Sequence, residues 1–271
     1  MITARRTAVS ALAVVALLAG RLAAGDLYDK GPARADEVVL PKPAEVASLA
    51  ANPAKIALKG LDDAQQVIIT AALSGNRAQD LSGDVKFEVA DPKVARVSTS
   101  GRVVPLANGS TEITATYGDK TIKVPVSAAS CDVNLPIHFG NQVVPIFTKL
   151  GCNSGGCHGK ASGQNGFKLS LLGFEPDVDY TALVKEARGR RVFPAAPDNS
   201  LLLLKATGIM AHGGGKRLEP GSDEYKLIRR WIASGVPAGA ADAPTVARIS
   251  VYPEQRTLPR NNKQQFAVYT H

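Results

Sequence analysis

Between residues 46 and 128 apolar and polar positions alternate with a period of two, and β-branched residues fill many of the apolar ones. The runs are Lys55–Leu58, Gln66–Thr70, Val85–Val89, Val94–Val97, Thr111–Tyr117 and Thr121–Val126. Such alternation places successive side chains on opposite faces of a strand, so each run reads as a half-buried β-strand. Gly75-Asn76, Ser82-Gly83, Asp91-Pro92, Ser100-Gly101, Asn108-Gly109 and Gly118-Asp119 punctuate the runs as turns. Six or seven short strands in about 80 residues is the spacing of a β-sandwich. No cluster of catalytic residue types falls within it.

At Cys131 the period changes from strand-like to helical. Asn141 to Leu150 carries Val143, Val144, Ile146, Phe147 and Leu150 on one broad stripe, which predicts a short helix that ends at Gly151. Tyr180 to Ala187 reads as a second helix, and Asp198-Asn199-Ser200 as the cap of a third that carries Leu201 to Leu204. Ser222 to Ser234 aligns Tyr225, Leu227, Ile228, Trp231 and Ile232 on one face and is stopped by Gly235 and Pro237. The expected architecture is multidomain: an all-β sandwich over 46–128 followed by a small all-α domain over 131–240.

The loop after the first helix, Gly151-Cys152-Asn153-Ser154-Gly155-Gly156-Cys157-His158-Gly159, carries the chemistry. Two cysteines followed at once by histidine is the arrangement that attaches c-type haem: each thiol forms a thioether to a vinyl group and the imidazole is held beneath the iron. Four residues separate the cysteines here instead of the usual two. Two plainer readings compete, a Cys152–Cys157 disulfide and half of a zinc site, although no second Cys/His pair exists to complete four zinc ligands. Cys131, the odd cysteine, stays free, joins two chains, or has no role that the sequence reveals. His138 reads as a surface or capping residue.

With His158 as fifth ligand, Met210 and His212 are the candidates for the sixth. In an extended loop residues two apart point the same way, so both face one side and only one can bind. Gly163, Gly166 and Gly173, with Phe167, Leu169, Leu171, Leu172 and Phe174, form an apolar segment suited to covering a haem edge. Arg190 and Arg191 offer guanidinium forks to the haem propionates, with a solvated turn as the alternative.

Two segments resemble known families. Phe87-Glu88-Val89-Ala90-Asp91-Pro92-Lys93-Val94-Ala95-Arg96-Val97 and Gly101 to Ala115 resemble the bacterial Ig-like domain of group 2, a structural spacer or adhesion module. The attachment loop, Gly166 to Leu171, Asp179-Tyr180, Gly189-Arg190-Arg191, Pro197 to Thr207, His212-Gly213-Gly214-Gly215 and Trp231 to Gly235 together are similar to class I-like cytochrome c domains, more narrowly those of large planctomycete secreted proteins. That second resemblance covers residues 147 to 237. It implies one covalent haem c and electron transfer, and it runs through His212 rather than Met210.

The remaining features bound the setting. Arg5 and Arg6 precede the apolar run Ala8 to Gly20, which reads as a signal peptide over 1–35 with cleavage after Ala35, or after Ala24; an uncleaved anchor is the alternative. Export suits haem c, which is attached outside the cytoplasm, and the expected location is the periplasm or cell surface. Residues 36–45, with Pro41 and Pro43, read as a linker. The net charge is +8, but the first 35 residues hold five cations against two acids. Basic residues are scattered and aromatics make up 5%, which argues against a nucleic-acid surface.

Val246 to Pro253 and Lys263 to Tyr269 look like the first two strands of a second, truncated Ig-like domain over 244–271. Two strands alone cannot bury a sandwich core, so this segment is expected to be mobile. The expected function is one-electron transfer to an unknown redox partner protein, with Phe147, Phe167, Leu169 and Trp231 excluding water. Because the distal candidates fill the sixth position, an electron carrier is expected rather than a catalyst. The alternatives are a haem-free binding or adhesion module closed by the Cys152–Cys157 disulfide, and an accessory domain of a larger exported enzyme.

Overall fold

The computed structural model describes residues 38–271, so the signal segment 1–35 and the first two linker residues lie outside the described residues. Ten strands run from β1 (Val46–Asn52) through β2 (Ile56–Lys59), β3 (Gln65–Gln66), β4 (Ile68–Leu73), β5 (Arg77–Asp80), β6 (Lys86–Val89), β7 (Ala95–Val97), β8 (Arg102–Pro105) and β9 (Gly109–Tyr117) to β10 (Lys120–Ala129). They form a four-stranded sheet β2-β10-β9-β6 and two three-stranded sheets, β1-β4-β5 and β3-β8-β7. All neighbours are antiparallel except β10 and β2, which pair in parallel from Val126 against Ile56. In β10 the alternation is direct: Val124, Val126 and Ala128 are buried while Lys123, Pro125 and Ser127 face out. With Val67, Ile69, Leu81 and Ile113 they build the first core.

β1, β5 and β8 were not among the expected runs. Their burial patterns are irregular, and β1 carries a register shift between Val46 and Ser48 against β4. A bulge breaks the period of two, so the alternation signal fails at that point. Cys131 closes this half of the chain. It is a buried free thiol of the sandwich core, its amide held by the Asn108 side chain at 2.7 Å.

The second half is helical. A π-turn, Phe139–Val143, leads into α1 (Val144–Lys149); α2 (Pro176–Tyr180) continues into a second π-turn, Thr181–Lys185; α3 (Leu201–Ala206) and α4 (Asp223–Ala233) follow. His138 caps the first of these, its Nδ1 accepting the Asn141 N–H at 3.2 Å. Ser222 caps α4 by accepting the Tyr225 N–H. Ser200 does not cap α3 as the sequence suggests, because its Oγ is engaged by the Phe193 N–H at 2.9 Å. Trp231, Ile232 and Ile228 of α4 pack against Phe139, Phe147, Leu183 and Leu203 to form a second core. Among the described residues no helix is long and apolar enough to cross a membrane.

The closing segment forms a hairpin of β11 (Ile249–Tyr252) and β12 (Ala267–Thr270). The sequence offers it no support, yet it rests on the sandwich. The Tyr269 hydroxyl donates to the Asn52 side chain at 2.7 Å, the Gln265 amide to Asp80, and Lys263 reaches Asp84 at 3.2 Å. Ala267 is buried, whereas Ile249 and Val268 are exposed.

Leu203 is fully buried in the helical core. Replacing it with alanine leaves a cavity, and Leu203→Ala is expected to cost about 2–5 kcal/mol of that half's stability. Trp231 is the chain's single tryptophan and sits in the same core, so denaturant titration followed by its fluorescence reads this loss. An unchanged midpoint would mean that the α3 contact contributes nothing to the core.

Candidate functional site

The Cys152–His158 loop hangs from the end of α1. Gly151 takes a left-handed φ of 74°, a conformation that ends a helix without a Cβ clash. The Cys152 amide then returns to the Phe147 carbonyl at 2.8 Å. Two nested turns take up the four intervening residues: Cys157 N–H donates to Ser154 O at 2.9 Å, and His158 N–H to Cys152 O at 3.0 Å. A Cβ on Gly159 would stand only 2.0 Å from the Asn153 carbonyl, so glycine is required where the loop closes.

The loop forms one wall of a cavity of about 630 Å³. Cys152, Cys157, His158 and His212 all line it, with Phe147, Phe167, Leu169, Leu183, Leu201 and Leu202 as its apolar surface. The His158 and His212 rings face each other across 6.2 Å with planes only 8° apart. His158 Nδ1 lies 3.0 Å from the Phe167 carbonyl and His212 Nδ1 lies 2.8 Å from the Gly215 carbonyl. A carbonyl can only accept, so each Nδ1 carries a proton, and in a neutral ring the lone pair is then on Nε2. A separation of about 6 Å is also that of two imidazole ring centres on one shared ion at a nitrogen distance of about 2 Å.

Met210 does not join them. Just past α3 the chain turns at Gly208, with φ 76°, and the Met210 amide folds back onto the Leu204 carbonyl at 2.9 Å. The loop turns where an extended course would carry Met210 and His212 to one side, so Met210 is left 42% exposed and outside the cavity lining. Two further expectations shift. Trp231 is buried behind the cavity wall, its Nε1 on the Pro237 carbonyl at 2.8 Å. Leu171, Leu172 and Phe174 are not part of the cavity lining: all three are exposed, Phe174 to 87%.

The charges divide by use. Arg191 is buried and its guanidinium is committed to three backbone carbonyls, those of Ala182 at 2.7 Å, Gly166 at 2.7 Å and Glu186 at 3.3 Å. Burial lowers its pKa from the usual arginine value. Arg190 is exposed at the cavity rim. Lys205 and Arg217 line the cavity too, and the sequence reading passed over both. Arg217 lies two residues past the three glycines after His212, and that adjacency was the available signal. None of the lining residues is acidic, so the cavity suits an anionic guest.

The thiols are both free. Burial, and then the neighbouring Cys157, push the Cys152 thiol up to about 11, against a smaller opposing pull from Arg217. Burial also lowers the His158 pKa, with His212 and Arg191 acting in the same direction and the hydrogen bond to Phe167 opposing. A neutral imidazole is the form that binds metal. Among the described residues no three His, Cys, Asp or Glu groups converge to hold an ion by themselves. The four-ligand geometry of structural zinc is not assembled there.

Comparison with known proteins bears on the first half of the chain. No curated protein matches. Among solved structures, the chain is similar to the S-layer protein SbsC, residues 31–844, with 22% identity over 34% of this chain and 14% of that one at a TM-score of 0.29. It is also similar to domains 4 and 5 of SbsC, with 24% identity over 31% of this chain and 51% of that one at a TM-score of 0.27. The family model for the bacterial Ig-like domain (group 2) matches residues 45–127. The sandwich that precedes the helical half is a bacterial Ig-like domain.

Proposed function

We propose that this chain is an exported, modular c-type cytochrome, an Ig-like domain joined to a small α-helical, class I-like haem domain that transfers single electrons to a protein partner. The observation that carries the reading is the shared cavity, where two thiols and two parallel imidazoles with open Nε2 atoms meet an apolar wall. Cys152 and Cys157 would hold one haem covalently, and His158 and His212 would hold its iron. When bound, haem supplies one-electron chemistry at a potential that its axial ligands and surroundings tune.

The protein's own groups do the rest. Phe147, Phe167 and Leu169 keep water from the cavity, and Arg190, Arg217 and Lys205 set cations at its wall for the two carboxylates of the guest. Two imidazoles hold a lower potential than an imidazole with a thioether. With His158 and His212 both holding the iron, no position would be left for a substrate, so the site would favour electron transfer over catalysis. The Ig-like match at residues 45–127 supports a place outside the cell or at its surface.

Protein exported through a c-haem maturation system should carry one haem per chain that survives denaturation and acid extraction, and Cys152→Ala with Cys157→Ala should abolish it. A colourless, folded product from such a host would overturn the reading in favour of a haem-free module.

The axial pair is tested separately. His212→Ala is expected to turn the low-spin spectrum high-spin and move the potential, while Met210→Ala leaves both unchanged. The opposite pattern would make methionine the ligand.

The cofactor-free chain gives a third test, since thiolate rather than thiol reacts with alkylating agents. Modification of Cys152 by iodoacetamide should be slow at pH 8 and rise about tenfold per pH unit towards its pKa of about 11. Fast, pH-independent labelling, read by peptide mass spectrometry, would contradict its buried setting.

A further inference from the structure

We propose that Arg191 positions the His158 imidazole, by locking the turn whose carbonyl fixes that ring's orientation and tautomer; this rests on the reading of His158 as a metal ligand. The carbonyl is that of Phe167, 3.0 Å from His158 Nδ1. It belongs to a tight turn in which Gln164 and Phe167 exchange both backbone hydrogen bonds at 2.9 Å. Gly163, Asn165 and Gly166 all take left-handed φ values, 61°, 50° and 73°. A turn of that kind keeps its shape only when its surroundings over-determine it.

Arg191 supplies the determination. Its Nη2 donates to the Gly166 carbonyl inside the turn, while Nη1 donates to the Ala182 and Glu186 carbonyls of the facing helical segment. One rigid fork thus ties the turn to a fixed wall. The guanidinium also lies over the Phe167 ring, 4.6 Å from its centre, and that ring stands 4.6 Å from the His158 ring. The Phe167 ring, tilted 49° to the imidazole, meets both groups, so the same arginine contacts both the turn whose carbonyl holds His158 Nδ1 and the ring that packs beside it. A buried guanidinium that forms no salt bridge is costly to keep. Lysine cannot replace it, because an ammonium is a point donor without the planar fork that spans three carbonyls.

The test uses the full chain without cofactor, labelled with ¹⁵N-histidine, so haem is not needed for the readout. His158→Gln identifies the His158 signals among the four histidines. In the parent, neutral His158 is expected as the Nδ1–H tautomer. Loss of a hydrogen bond that holds one tautomer changes the ratio by about fivefold, and Arg191→Met and Arg191→Lys are both expected to show this shift towards Nε2–H. His212 should not change in either variant. An unchanged His158 tautomer in a folded Arg191 variant would overturn the proposal. If both variants lose the Trp231 fluorescence of the folded core, Arg191→Gln, which keeps one donor but loses the fork, takes their place, and an unshifted His158 there is equally fatal. A shifted tautomer in a chain that never takes up covalent haem would sink the cytochrome reading and leave the positioning role, whereas covalent haem with an unshifted tautomer would do the reverse.

Discussion

The helical half depends on the burial of one indole. Trp231 reaches no solvent and meets Phe139 with ring centres 5.3 Å apart, and Phe139 in turn meets Tyr180 at 5.4 Å and Phe147 at 6.3 Å. This aromatic cluster joins the helix before the attachment loop to the helix that closes the domain. Aromatic pairs in edge or tilted contact add to the area that they bury. Phe147 has three duties: its side chain packs in the core, its carbonyl receives the Cys152 amide, and it also lines the cavity. The loop is therefore aimed by the packing beneath it as much as by its own turns.

That dependence explains what the chain's sequence disclosed and what it hid. Strands with clean alternation, such as β9 and β10, were legible because burial on one face leaves a period of two. That Cys152, Cys157 and His158 meet at one cavity was legible because they lie close together in one loop. α4 was legible from its cap and stripe together. β1 was not, since its bulge breaks the period.

The roles of single polar residues were the least legible. Asp198-Asn199-Ser200 has the composition of a cap, but Ser200 serves a neighbouring strand of backbone instead, and nothing local distinguishes the two uses. Arg190 and Arg191 are adjacent and chemically identical, yet one stands exposed at a rim and the other is buried among carbonyls. Only the third dimension separates them. Met210 against His212 was undecided for a similar reason, because the loop's turn at Gly208 decides which of the two side chains enters the cavity.

The contact between the Ig-like domain and the helical half has a consequence of its own. It is made largely of charge: Arg96 meets Asp223 at 2.6 Å, Asp62 meets Arg230, and Arg230 also donates to the Leu135 carbonyl at 2.8 Å. Asp223 sits in the first turn of α4, so one carboxylate answers both the helix dipole and the other domain. Arg96 and Asp223 are about half and a third exposed, and exposed pairs weaken as the Debye length shrinks to roughly 8 Å at physiological ionic strength. Salt should therefore loosen the Arg96–Asp223 tie before it touches the less exposed Asp62–Arg230 pair, so that in a concentrated medium one carboxylate of α4 answers the helix dipole alone while the other end of the junction stays fastened.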